Sequence, residues 1–282
     1  MTADRNSTTT VVRKHVDGDI REAIEQAIDA IGGAHRYVTR GGMVTIKPNL
    51  NTADPYPASS DPEFIRALGQ VLLDSGAAKL RIVESSMFGV KTRKVARKTG
   101  ILDVARDLGA EIVFLDEDQW VPVTIPNGQY MKQAHVGKAL LESKNLVLAP
   151  CLKTHRYARF TATMKLFVGA IRTRDRLKMH ARRLEVKIPE VASLFRPSLV
   201  VMDARRVFVT GGPFHGQVES PDLIIVGTDM LAVDVVAVRL LQSYKAENRL
   251  DMPVWNLPQI RHGAEIGLGV SRDDQIQVID ID

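Results

Sequence analysis

Cysteine is almost missing from this chain. Its 282 residues include one, Cys151, so no internal disulfide can form, and no CxxC or Cys/His cluster is present to hold zinc or an iron–sulfur cluster. That usage fits a reducing compartment, and the chain reads as cytoplasmic. Long apolar runs are missing too. No uninterrupted stretch approaches the roughly 20 residues that span a bilayer, which speaks against a membrane partner. The opening MTADRNSTTTVVRKHVDG has no apolar core of a secretion signal, and residues 1–18 read as a flexible tail. No repeat, low-complexity run or Gly/Ser linker divides the remainder. Residues 19–282 therefore read as a single α/β domain with inserted segments, a hairpin near 120–136 and a basic helical segment near 161–195.

Charge is present in a concentrated form. The net charge is +5, yet between Cys151 and Lys187 eleven Lys and Arg face only Asp175 and Glu185, which leaves the rest of the chain net acidic. The run from Arg172 to Arg183 reads as a solvated basic face. Nucleic-acid binding is the obvious suggestion for such a segment. Aromatics such as Tyr157 and Phe160 are too few there for a stacking platform, and no recognition motif accompanies them.

The apolar pattern alternates between strand-like and helix-like stretches. Ile20, Ala23, Ile24, Ala27, Ile28 and Ile31 recur at helical spacing and stop at Gly32-Gly33. Met43 to Ile46 predicts a buried strand. Asp61-Pro62-Glu63 supplies a cap, an N1 proline and an acidic first turn for a second helix. A strand follows at Leu80 to Val83, then a helix from Thr92 to Leu108 interrupted at Gly100, and a strand at Ile112 to Leu115. Alternation at Val121, Val123 and Ile125 before Asn127-Gly128 predicts an antiparallel hairpin. Further strands are expected at Leu146 to Leu148, Leu199 to Met202 and Leu223 to Val226. A helix from Met230 to Leu241 and an edge strand at Ile276 to Ile279 close the pattern. The fold class is α/β, with a mainly parallel sheet, helices on both faces and an inserted antiparallel hairpin.

In open α/β sheets ligands bind beyond the carboxyl ends of the strands, so the polar residues just after each strand are the candidates for chemistry. These are Lys47, Asn49 and Asn51; Glu84, Ser85 and Ser86; Lys153, Thr154 and His155; Asp203; and Thr228 with Asp229. Thr161, Thr163 and Lys165 follow His155 at spacings of two and add donors suited to phosphate or carboxylate oxygens. Basic neighbours should lower the pKa of His155, which makes it a neutral base or a hydrogen-bond donor. Asp229 can cap the helix that follows it, while Asp234 lies more than one turn inside that apolar run and needs a partner, and Lys47 or Lys165 would serve. The expectation is that Lys47 and Lys153 converge on one pocket with Asp229 or Asp234 in ion-pairing reach. Gly211-Gly212-Pro213-Phe214-His215-Gly216 reads either as a tight turn or as a loop presenting amides to an anion; it lacks the Walker lysine-serine pair.

Val44-Thr45-Ile46-Lys47-Pro48-Asn49, Lys153-Thr154-His155 with Thr161, Thr163, Lys165 and Gly169, and Asp229 with Ala232, Val233, Asp234 and Ala237 together resemble the motifs of domain-of-unknown-function family 362, over about residues 43 to 245. Many members carry a ferredoxin-type iron–sulfur module. A chain with one cysteine departs from that pattern, and Leu166 stands where the family resemblance implies an asparagine.

Three functions follow. The first is a small-molecule enzyme or binding protein that holds an anionic metabolite. Here His155, Lys153 and Asp234 are the catalytic candidates, and Lys47, Asn49, Thr154, Thr161, Thr163, Lys165, Asp203 and Asp229 bind the substrate. Proton or group transfer is the favoured reaction, with no metal site and no iron–sulfur cluster. The second is an auxiliary module of a redox pathway docking an acidic ferredoxin-like partner on the Arg172 to Arg183 face. The third is nucleic-acid binding.

Overall fold

The computed structural model describes residues 8–126 and 128–282. In chain order the elements begin with β1 (Thr9–His15), α1 (Ile20–Asp29), β2 (Met43–Lys47), α2 (Pro62–Asp74), β3 (Lys79–Glu84), α3 (Thr92–Lys98), α4 (Ile101–Asp107) and β4 (Glu111–Phe114). β5 (Trp120–Thr124), β6 (Gln133–Gly137), α5 (Lys138–Leu141), β7 (Leu146–Leu148), β8 (Cys151–His155) and β9 (Arg159–Thr161) follow. After a 3-10 stretch at Met164–Ala170 come α6 (Thr173–Ala181), α7 (Leu184–Ala192), β10 (Leu199–Phe208) and β11 (Val218–Glu219). β12 (Leu223–Gly227), α8 (Met230–Gln242), α9 (Pro258–Glu265) and β13 (Ile276–Ile281) complete the chain.

The main sheet has the order β13-β1-β12-β10-β7-β2-β3-β4. From β10 to β4 every neighbour is parallel, as the strand-helix alternation predicts. β12 is antiparallel to both β10 and β1, and β13 runs parallel to β1 at the edge. β5 and β6 form a separate antiparallel pair at the expected hairpin; Asn127 of its turn lies outside the described residues. Period-2 alternation sorts the strand residues between two cores. Val83, Leu146, Leu148, Val200, Met202 and Ile225 face the layer that contains α7, α8 and α9. Ile82, Val147, Leu199, Val201, Ile224 and Val226 face the layer that contains α1, α2 and α4. Helix starts are fixed locally: Asp19 accepts from Arg21 N and Glu22 N, Asp61 from Glu63 N, and Gly100 at φ +80° separates α3 from α4.

The tail expected over residues 1–18 is corrected for Thr9–His15, which form β1 inside the sheet with Val11 and Val12 fully buried. The strand is inconspicuous in sequence because only two of its seven residues are apolar. Its charged side chains are met from far along the chain: Arg13 pairs with Asp280, and Lys14 donates to the Asp282 carbonyl oxygen. No helix among the described residues is long and apolar enough to cross a membrane.

Candidate functional site

β10 is long enough to pair with β7 at Leu199 and Val200 and then with β8 from Asp203 onward. β8 therefore continues past Ala149-Pro150 beyond the carboxyl edge of the parallel strands. Lys153 and His155, two residues apart, face the same side of β8, and Thr161 of β9 pairs directly across from Lys153. These three, together with Asn49, Glu84, Ser85, Lys165, Arg176 and His180, line a cavity of ≈ 490 Å³. Thr154 lies between Lys153 and His155 on the strand and is absent from the cavity wall, as alternation requires.

Each charged group has a distinct environment. Lys47, at the end of β2, is wholly buried and pairs at 2.6 Å with Glu84 at the end of β3, just under the cavity. Glu84 also accepts from Ser85 N and Leu50 N. Gly169 roofs this pair; a Cβ there would lie 2.6 Å from Glu84 Oε1. Among the described residues Lys153 has no carboxylate partner. Its Nζ donates to Asn49 Oδ1, Pro57 O and Ala58 O at 3.0, 2.9 and 2.6 Å, so all three ammonium hydrogens are used. Burial lowers its pKa to about 8. Arg176 was expected on a solvated face and is corrected: it is buried, and it donates to the carbonyls of Ile171, Ser86 and Gly169 and to the Ser85 hydroxyl.

Lys165 differs from these. Its half-buried side chain lines the cavity and makes no hydrogen bond or ion pair among the described residues, and burial, then the Lys153 charge, lower its pKa to about 7. His155 Nδ1 accepts from the amides of Tyr157 and Ala158, both at 3.1 Å. Burial and the cations around it hold its pKa far below the usual imidazole range. The ring is thus neutral with its hydrogen on Nε2, a donor left for the cavity. Thr161 Oγ1 is buried in the cavity wall without a hydrogen-bond partner among the described residues.

The expected aspartates lie elsewhere, and each is satisfied without a lysine. Asp229 caps α8, accepting from Leu231 N, Ala232 N and Val270 N. Asp234 accepts from Thr163 N and Met164 N at 2.6 and 3.1 Å, with burial raising its pKa to about 7. It ties α8 to the start of the 3-10 stretch that carries Lys165. Asp203 is held by Arg205 and the Tyr56 hydroxyl, so it too stands outside the cavity. Lys47 lies beneath the cavity, and Thr163 sits at the head of the 3-10 stretch; neither lines the wall.

The glycine-rich segment is a tight turn packed on β8. Gly212 N donates to His215 O, Arg156 N donates to Gly212 O, and a Cβ on Gly212 would lie only 1.9 Å from the Thr154 carbonyl. At φ +64° the same position favours glycine on backbone grounds. Gly212→Ala should therefore displace the turn and lower stability by about 1–3 kcal/mol. Urea unfolding checks this, and an unchanged midpoint would show that the turn moves freely.

The architecture and cavity define an α/β protein with a cationic pocket at the carboxyl ends of its strands. The chain belongs to the family described as Domain of unknown function (DUF362), which matches residues 44–239. It is 24% identical over 233 residues to a thylakoid-associated protein of Synechocystis sp., covering 80% of this chain and 71% of that one. Among solved structures it resembles a protein from Thermotoga maritima, with a TM-score of 0.53 and 12% identity over 81% of this chain; the match spans 61% of that protein's length. The lactate racemase apoprotein from Thermoanaerobacterium thermosaccharolyticum matches 73% of this chain and 52% of its own, with a TM-score of 0.47 and 14% identity. The iron–sulfur module of other family members does not fit the residues present. Cys151 is the one thiol, fully buried against Ser60 with its pKa pushed up to about 11, and a cluster of that type takes four thiolates.

Proposed function

We propose that the cavity binds a small anionic metabolite and that the protein is an enzyme of proton or group transfer, or a binding protein built on the same site. One observation carries this reading: Lys165, His155 Nε2 and Thr161 Oγ1 all keep unused donor capacity around one cavity. A buried donor without an acceptor, as at Thr161, costs about 1–3 kcal/mol, and an anion would satisfy it while also engaging Lys165 and His155. Below its pKa of about 8, Lys153 adds a positive charge that no carboxylate among the described residues pairs with.

The catalytic assignments shift accordingly. Lys165 is the proton carrier, because it faces the cavity with a pKa near neutrality. His155 orients the ligand as a neutral donor, while Lys153 and Asp234 hold the loops that form the site. The reading keeps the protein in the cytoplasm, in line with its single cysteine.

Calorimetric titration with acetate and inorganic phosphate at low salt tests the pocket. Saturable binding to the wild type is expected. Thr161→Val should weaken it by about 0.5–1.5 kcal/mol. Arg182→Ala, on an exposed residue, should leave it unchanged. Equal losses in the two variants would turn the result into nonspecific attraction to a basic protein.

A second reading rests on the exposed Arg174, Lys178, Arg182 and Arg183 along α6 and the start of α7. They would steer an acidic ferredoxin-like partner, and that association would weaken steeply with salt while requiring no small ligand.

A further inference from the structure

We infer that the anion is an amphipathic carboxylate, its acid group at Lys165, His155 and Thr161 and its apolar body held between Phe88, Tyr157 and Leu177 at the cavity mouth. This rests on the anion-binding reading above and adds the class of ligand.

Six large hydrophobic side chains are exposed among the described residues: Phe88, Val90, Tyr130, Tyr157, Leu177 and Val278. Three of them, at 55%, 64% and 50% exposure, stand on the rim of the same cavity. They come from three separate elements: Phe88 from the loop after β3, Tyr157 from the β8–β9 turn and Leu177 from α6. A single exposed apolar residue needs no explanation, whereas three converging on one opening mark a binding surface. The same wall also carries the apolar side chains of Leu166, Val168 and Phe214. A ligand filling this space must be apolar outside and acidic inside. The ≈ 490 Å³ available suits a small organic molecule.

Donor supply favours carboxylate over phosphate. The planar fork of Arg176, the group best matched to phosphate, is already spent on protein oxygens. Lys153 is likewise saturated. The other arginine of the wall, Arg156, is exposed and sits over the Tyr157 ring, which leaves the Lys165 ammonium with the His155 and Thr161 donors as a set matched to the two oxygens and single charge of a carboxylate.

The test is a calorimetric series on the whole protein at pH 6.5, using acetate, butanoate, hexanoate, phosphate, hexyl phosphate and hexanamide. Binding should tighten about three- to four-fold per added methylene from acetate to hexanoate, as for a CH2 group removed from water. Hexanoate should exceed both phosphate and hexanamide. The double variant Phe88→Ala with Tyr157→Ala alters exposed side chains only, and it should flatten the chain-length series while keeping the wild-type circular dichroism spectrum. A series that is flat in the wild type, or phosphate or hexyl phosphate binding more tightly than hexanoate, overturns the amphipathic carboxylate and leaves the anion pocket standing. Hexanamide equal to hexanoate overturns the acid head. Absence of binding by every anion in the set defeats the pocket reading itself.

Discussion

Glu84→Ala lowers stability by about 3–5 kcal/mol, because it leaves the Lys47 ammonium in a fully buried position with no counter-charge. The loss exceeds that of an ordinary core truncation for a second reason: Ser85 N and Leu50 N also lose their acceptor. Combining Lys47→Met with Glu84→Gln removes the stranded charge and keeps an amide oxygen for the backbone. The double variant should recover most of the loss. Chemical unfolding of the two variants measures the difference. A Glu84→Ala protein within about 1 kcal/mol of wild type would show that Lys47 escapes to solvent, in which case the pair does not hold β2 against β3.

Lys165→Met should weaken anion binding about ten- to hundred-fold, the range for losing a charged hydrogen bond of about 1.5–3 kcal/mol. The pH profile separates this from a packing effect. Burial and the neighbouring Lys153 bring the Lys165 pKa down to about 7, so the free protein holds ammonium below that pH and neutral amine above it. The anion binds the ammonium form. Affinity should be level below about pH 7 and fall by up to tenfold per unit above it, as binding comes to require uptake of a proton. His155 stays neutral throughout, whereas Lys153, with its pKa at about 8, steepens the fall above that pH. Lys165→Arg, charged at every accessible pH, should carry the level region to higher pH. A wild-type profile that is flat from pH 6 to 9 would remove Lys165 from the site.

The parallel core was legible because β2, β3, β7 and the start of β10 are short, near-continuous apolar runs separated by helical periodicity and marked by caps at Asp61 and Gly100. Lys153, His155, Thr161 and Lys165 were legible through their spacings and their place after a strand. Asp229 was legible as the cap of α8, whereas the expected lysine partners failed because a carboxylate needs donors rather than cations as such, and backbone amides supply them to Asp229 and Asp234. Arg176 was hidden in a basic run whose neighbours Arg174 and Lys178 are exposed. Which member of such a run turns inward depends on carbonyls of Ser86, Gly169 and Ile171, contributed by other segments.

β1 escaped notice for a related reason, and its position bears on how the chain assembles. Thr9–His15 lie between β12 and β13, partners more than 200 residues away in sequence. During synthesis both neighbouring strands are made more than 200 residues after Val11 and Val12. Closing loops of that length is slow, and until it happens the amino-terminal segment waits with its backbone unpaired. The parallel centre from β2 to β7 can form earlier from what is already translated. Completion of this side of the sheet therefore waits until β12 and β13 have been made, and the nascent protein depends on that interval passing without β1 finding a strand in another chain.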